Sequence, residues 1–284
     1  NKTKLIKIRI TVMPLINKFN DTKIIKLSPG IEFRELLSKN SLQDERLQIN
    51  YIKINSDVTH TIKNEADEVS WIQIIDGNIS VKDSELDRSQ IIFLSTEQEI
   101  KIYSNQNSVI IHTIIQDFHR FDPHIKEKFL SNMQIIDWGE EPVLKSEHDD
   151  RTRVYMLSES LVNTDGVKGE LIIYPKNTSC PEHYHTGGEH YQLIVSGEII
   201  AVLDGVECEL KALDILYNFE NENHWFYTND KECHFVEFFV PGEAKTIWTQ
   251  TTNVCTWSPI GKNIKGGKPS RIIEKHVHGE GKGI

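Results

Sequence analysis

Two stretches of this chain carry the same strand–turn–strand pattern, and that duplication limits the possible folds more than any other feature. EVSWIQIIDGNISV (Glu68–Val81) in the first half parallels EHYQLIVSGEIIAV (Glu189–Val202) in the second. Ile91–Leu94 with Ile102–Gln106 is likewise echoed by Ile215–Asn218 with Phe226–Asp230. Two copies of one β unit account for this economically. Runs rich in β-branched residues predict strands at Leu47–Ile54, Ser70–Ile75, Ile91–Leu94, Val109–Ile115, Leu171–Tyr174, Tyr191–Val195, Glu198–Leu203 and His234–Val240. Turn signals at Asp76-Gly77-Asn78, Ser196-Gly197 and Asp204-Gly205 separate them. Such spacing points to antiparallel sandwiches or barrels. Helical pattern is confined to Ile31–Lys39 and Pro123–Met133. The expected organisation is a β barrel over residues 1–116, a polar linker with a short helix over 117–150, a second barrel over 151–245 and a Gly- and Lys-rich extension over 246–284.

The chain has 284 residues, 38% of them hydrophobic, which is enough for a proper core. Its net charge of -10 argues against a nucleic-acid or anionic-membrane surface. No stretch approaches the roughly 18 apolar residues of a membrane span, and no leader pattern is found. The four cysteines, Cys180, Cys208, Cys233 and Cys255, lack CxxC spacing and read as free thiols of a reduced, cytoplasmic protein.

Chemistry concentrates in the second half, in the segment PEHYHTGGEHYQLIVSG (Pro181–Gly197). A strand sends alternate side chains to one face, so His183 and His185 point the same way. The turn Thr186-Gly187-Gly188 folds the chain back and brings Glu189 beside them, and His224 follows a strand pair later. Imidazoles with a carboxylate form a mixed N/O set suited to Fe(II), Mn(II), Ni(II) or Zn(II). The remaining histidines read as structural. His112, His119 and His124 lie in a strand end and the linker, and His276 and His278 in the Gly-rich tail lack a carboxylate partner in a rigid frame.

These residues resemble the cupin superfamily, whose first motif pairs His-x-His with a Glu and then a Gly, and whose second carries a further His. His183, His185, Glu189 and Gly197 match the first, and Asp214–Asn229, with His224, matches the second. The resemblance is specific over residues 151–242, structural only over 5–116, and does not reach the tail. It implies an all-β chain of two cupin-type (double-stranded β-helix, or jelly-roll) barrels with few short helices, and one divalent metal per chain in the C-terminal barrel. The first barrel reads as metal-free, because Ile100 stands where His224 does and only His60 lies near the place of the His-x-His pair.

The Gly expected before the first His and the Pro-x-Gly of the second motif are missing, and a further departure leaves the third ligand open. The interval from Glu189 to Gly197 is one residue longer than usual, so strict register would put His190 there instead. If Glu189 points inward, Tyr191, Leu193 and Val195 follow it. If His190 does, Gln192 and Ile194 join it. The first choice buries more apolar surface and no unpaired amide, a difference of about 1–3 kcal/mol, and Glu189 is preferred. His190 then becomes a candidate catalytic acid/base with Glu237 and Tyr191. Arg153, Tyr174, Gln192 and Trp225 are the candidate substrate-binding residues, with Arg151 as a further anion anchor.

With two open positions, Fe(II) would admit a small polar substrate and dioxygen, and an Fe(II) oxygenase is the first expectation. Mn(II), Zn(II) or Ni(II) would act as a Lewis acid in an isomerase or lyase. A non-catalytic small-molecule-binding module is the alternative of a different class. A homodimer is the default assembly.

Overall fold

The computed structural model describes residues 14–42, 44–128, 133–250, 254–280 and 284. It is built almost wholly of antiparallel strands. In the first half, a seven-stranded sheet centred on Val69–Asp76, Ser108–Ile115 and Leu47–Ile54 faces a four-stranded sheet of Val58–Lys63, Glu99–Ser104, Ile79–Val81 and Ser84–Leu86. Between them lies a core made mostly of isoleucine, among it Ile52, Ile54, Ile72, Ile74, Ile100, Ile102 and Ile110. The second half contributes twelve strands to a curled thirteen-stranded sheet, and Leu15–Asn17 is the other. The 15-residue strand Glu189–Leu203 serves both of its walls. Its first part pairs with Cys233–Val240 and Ile215–Asn218, and its second part with Val206–Lys211 and His224–Tyr227.

The repeat seen in the sequence is a repeat in space. A β-bulge between Ile194 and Ser196 and then Gly197, at φ +78, bend the long strand from one wall to the other. A Cβ on Gly197 would stand 2.0 Å from the carbonyl oxygen of Glu232. The same bulge and Gly77, at φ +72, turn the first barrel between Val69–Asp76 and Ile79–Val81.

The two barrels share their largest core. Trp71, Ile49, Ile111 and Ile115 of the first pack with Tyr191, Leu193, Val236 and Phe238 of the second. Trp71 stacks on Phe238 with ring centroids 4.8 Å apart, and the hydroxyls of Thr113 and Tyr191 are 2.9 Å apart across the seam. The strand carrying Tyr191 is therefore apolar on a face that looks out of its own barrel.

The helix expected at Ile31–Lys39 is instead the strand Ile31–Leu37, paired with Leu47–Ile54. A bulge between Glu35 and Leu37 lets Leu36 and Leu37 both be buried, which breaks the period of two and imitates a helical pattern. The helix expected at Pro123–Met133 is realised as one turn, Ile125–Lys128, and residues 129–132 lie outside the described residues. A second single turn is Glu159–Val162.

The connecting segment also does more than join. Gln134–Asp137 extends the first barrel's sheet beside Gln90–Leu94, and Pro142–Ser146 enters the second barrel's sheet. In the extension, Thr256–Asn263 pairs with Pro142–Ser146, and His276–Val277 folds back on Thr256 and Trp257. Leu15–Asn17 pairs not with the first barrel but with Ile215–Asn218 of the second. No described helix is long and apolar enough to cross a membrane.

Candidate metal centre in the C-terminal barrel

His183 and His185 lie on the short strand His183–Thr186, and both are buried, as alternation requires. His224 opens the neighbouring strand directly opposite His183. His190 sits on the long strand next to Asn218 and Phe239. Ring centroids are 4.5 Å apart for His183 and His224, 4.6 Å for His185 and His190, 4.8 Å for His190 and His224, and 5.0 Å for His183 and His185. Two imidazoles at right angles on one ion, each nitrogen about 2.0–2.1 Å away, hold their ring centres roughly 4.5 Å apart. The spacing therefore fits one ion.

Hydrogen bonding aims the rings. The Nδ1 atoms of His183 and His224 lie 2.8 and 2.9 Å from the carbonyl oxygens of Pro181 and Glu222, and Nδ1 of His185 lies 3.2 Å from the hydroxyl of Thr246. Donation through Nδ1 leaves a lone pair on Nε2. The Nε2 atoms of His185 and His224 and Nδ1 of His190 are buried without a hydrogen-bond partner. Burial depresses all four imidazoles, His224 to about 4 and the others well below the ordinary value, so they stand neutral and able to ligate.

Glu189 is not part of this cluster. Its carboxylate lies 3.2 Å from Nε of Arg46 and accepts a 2.5 Å hydrogen bond from the hydroxyl of Tyr217. Tyr191 likewise faces the inter-barrel core, and Trp225 stacks on Tyr227 on the face opposite His224. The expectation for Trp225 fails by simple alternation, since it follows His224 on one strand, and that for Glu189 and Tyr191 is corrected by one cause. The apolar face of Glu189–Leu203 is buried against the other barrel, which frees the polar face of His190 and Gln192 to line its own barrel's interior. The amide on that face is not unpaired. Gln192 Nε2 donates to Glu237 at 2.6 Å, and Gln192 Oε1 accepts from Asn218 at 3.0 Å.

The first barrel carries different side chains at the matching positions. The paired Ile62 and Ile100 stand where the paired His183 and His224 do. By the shared bulge, Ser70 stands in the place of His190 and His112 in that of Glu237. Among the described residues, no group with metal-ligand geometry occurs there.

Beside the imidazoles lies a buried polar layer. Glu237 is 3.5 Å from His190, and burial together with the neighbouring Glu170 raises it to about 8. Arg153 pairs with Glu170 at 2.9 Å and donates to the Tyr155 hydroxyl at 2.9 Å. The Arg151 guanidinium is held by Asp149 at 2.7 Å and reaches the Tyr174 hydroxyl at 3.2 Å. Arg153, Tyr174, His183, Glu237, Trp257 and His278 are among the residues around a cavity of only about 20 Å³, a water's worth or little more. Two of its neighbours were missed from sequence. Glu170 shares a face with Ile172 and Tyr174 in alternation, a signal that was present. His278 comes from the tail, and nothing local to it announces where it docks.

A model of the cupin domain matches residues 170–239. Solved structures of oxalate decarboxylase from Bacillus subtilis are similar over both barrels. A deletion variant is 13% identical with a TM-score of 0.64, covering 84% of this chain and 80% of that chain. A structure concerned with proton-coupled electron transfer is 14% identical at 0.65, with the same coverage. One used to assign the EPR parameters of its Mn(II) centres is 13% identical at 0.64, again with the same coverage. No curated protein sequence matches the chain.

Proposed function

We propose that the C-terminal barrel, where the cupin-domain model matches, is the site of a metal-dependent lyase that decarboxylates a small carboxylate. The observation that carries this reading is the convergence of buried, unpartnered nitrogens of His185, His190 and His224, beside His183, on one point. A divalent ion held there, Mn(II) or alternatively Fe(II), Ni(II) or Zn(II), would keep its full charge among neutral ligands and so favour an anionic oxygen and the negative charge that develops on it.

The chain's own groups supply the rest. Decarboxylation is redox-neutral: a carbon–carbon bond breaks, CO2 leaves, and the remaining carbon takes up a proton. Glu237 is the group placed to hold that proton, buried beside His190 and fixed by the Gln192 amide. Arg153, held by Glu170, offers positive charge at the cavity wall. The cavity's small volume favours a substrate of few atoms and leaves little room for water beside it. The named activity of the similar Bacillus subtilis protein and its Mn(II) centres support the same reaction class. An internal proton carrier fits proton transfer better than the Fe(II) oxygenase expected from sequence.

The test is to load metal-free protein with Mn(II) or Fe(II) and offer small mono- and dicarboxylates, oxalate included, while CO2 release and oxygen uptake are followed together. CO2 release without matching net oxygen consumption is expected. Stoichiometric oxygen consumption would favour an oxygenase, and failure to bind any divalent ion would remove the metal reading altogether.

A further inference from the structure

The tail brings a fifth imidazole to the cluster, and we infer that His278 is a hydrogen-bond donor to the bound carboxylate and not a ligand of the metal. The inference rests on the metal-site reading above and goes beyond the family match, which ends at residue 239.

His278 is firmly seated. Its backbone N–H donates to the carbonyl of Cys255 at 3.0 Å, and His276, two residues earlier, meets the Tyr155 hydroxyl at 2.9 Å. The Trp257 ring on the paired strand lies 4.0 Å from the Arg153 guanidinium. These contacts press the tail onto the barrel mouth, and His278 is buried at the cavity wall with Glu237 and His183.

Its hydrogen bonding sets it apart. Nδ1 of His183, His185 and His224 each faces an oxygen that can accept a proton. Nδ1 of His278 faces Nη2 of Arg153. A guanidinium has only donors, so Nδ1 must accept and the neutral ring carries its proton on Nε2. A protonated nitrogen has no lone pair for an ion. It can donate to an anionic oxygen. The ring's centre is 6.0 Å from that of His183 and 5.8 Å from that of His185, farther out than the four closely spaced imidazoles, and although its nitrogens come within metal-ligand range of those two rings, the contact with Arg153 decides against ligation. A carboxylate lying between His278 and the ion would meet Nε2–H on one side and the metal on the other.

The experiment compares wild type with His278→Ala, His278→Gln and His224→Ala, measuring Mn(II) per chain and then the Kd of oxalate for the Mn(II)-loaded protein. His278→Ala is expected to keep its Mn(II) and to bind oxalate about 10–100-fold more weakly, the loss of one hydrogen bond to a charged group. His278→Gln, which retains an N–H donor, should recover part of that loss, whereas His224→Ala should lose Mn(II). Loss of Mn(II) from His278→Ala would make His278 a ligand and overturn the inference, as would unchanged oxalate affinity. Wild type that takes up no Mn(II) would instead overturn the metal reading beneath it.

Discussion

Replacing Glu189 and His190 one at a time separates the two possible registers of the long strand. Glu189→Gln removes a carboxylate whose side chain is 14% exposed and which Arg46 shares with Asp44. Arg46 keeps Asp44 as a partner, and the Tyr217 hydroxyl keeps an amide oxygen to bond. The expected cost is about 1–2 kcal/mol, between an exposed pair and a fully buried one. At roughly 2–4 °C per kcal/mol this is a modest fall in Tm. Metal content should not change. His190→Ala removes one of the clustered imidazoles. Loss of a group that merely supports a ligand costs about 10–100-fold in affinity, so the loss of the ligand itself should exceed about 100-fold. Elemental analysis of protein purified without added metal, and calorimetric titration with Mn(II), read both effects. The reasoning is refuted if Glu189→Gln empties the site while His190→Ala leaves it filled.

Glu237→Gln should retain metal yet lower turnover by about 10²–10⁴-fold, as expected when a proton carrier is removed; unchanged turnover would exclude it from the reaction. His112, in the first barrel, is depressed by burial, and secondarily by His60, to about 3. Its folded value lies below its unfolded value of 6.5, so its contribution is full above pH 6.5 and is lost as pH falls towards 3. About 2 kcal/mol of it falls between pH 7 and pH 5, where chemical denaturation of wild type and His112→Leu should show a weaker acid sensitivity in the variant. Gly197→Ala should destabilise by more than about 2 kcal/mol, because its Cβ would collide with a backbone oxygen, whereas Gly205→Ala, with φ +82 but open space around it, should cost about 1 kcal/mol. Equal melting temperatures for the two variants would contradict this.

Much of the fold was legible because strand periodicity and glycine turns are local signals. The duplicated hairpin, the His183/His185 pair and His224 all follow from spacing along the chain. Glu189 was expected beside the histidines where the structure puts His190, for a reason outside the strand. Alternation divides Glu189–Leu203 into an apolar face and a polar face, but it does not say which one looks into its own barrel. The apolar face belongs to the seam with the first barrel, where Trp71 and Thr113 meet Phe238 and Tyr191. Leu36 and Leu37 illustrate the same limit on a smaller scale, since a bulge made a strand look helical. His278 was invisible because its placement depends on Thr256–Asn263 docking against Pro142–Ser146, more than a hundred residues earlier.

The pairing of Leu15 with Tyr217 has a consequence for how the two halves can be handled. It couples residues some two hundred positions apart, and such contacts close late and slow the approach to the native state. It also means that a fragment beginning after the first barrel would bare the edge of Ile215–Asn218, inviting intermolecular strand addition. Expressed alone, the second half should aggregate, and supplying residues 14–116 as a separate polypeptide should restore solubility by covering that edge.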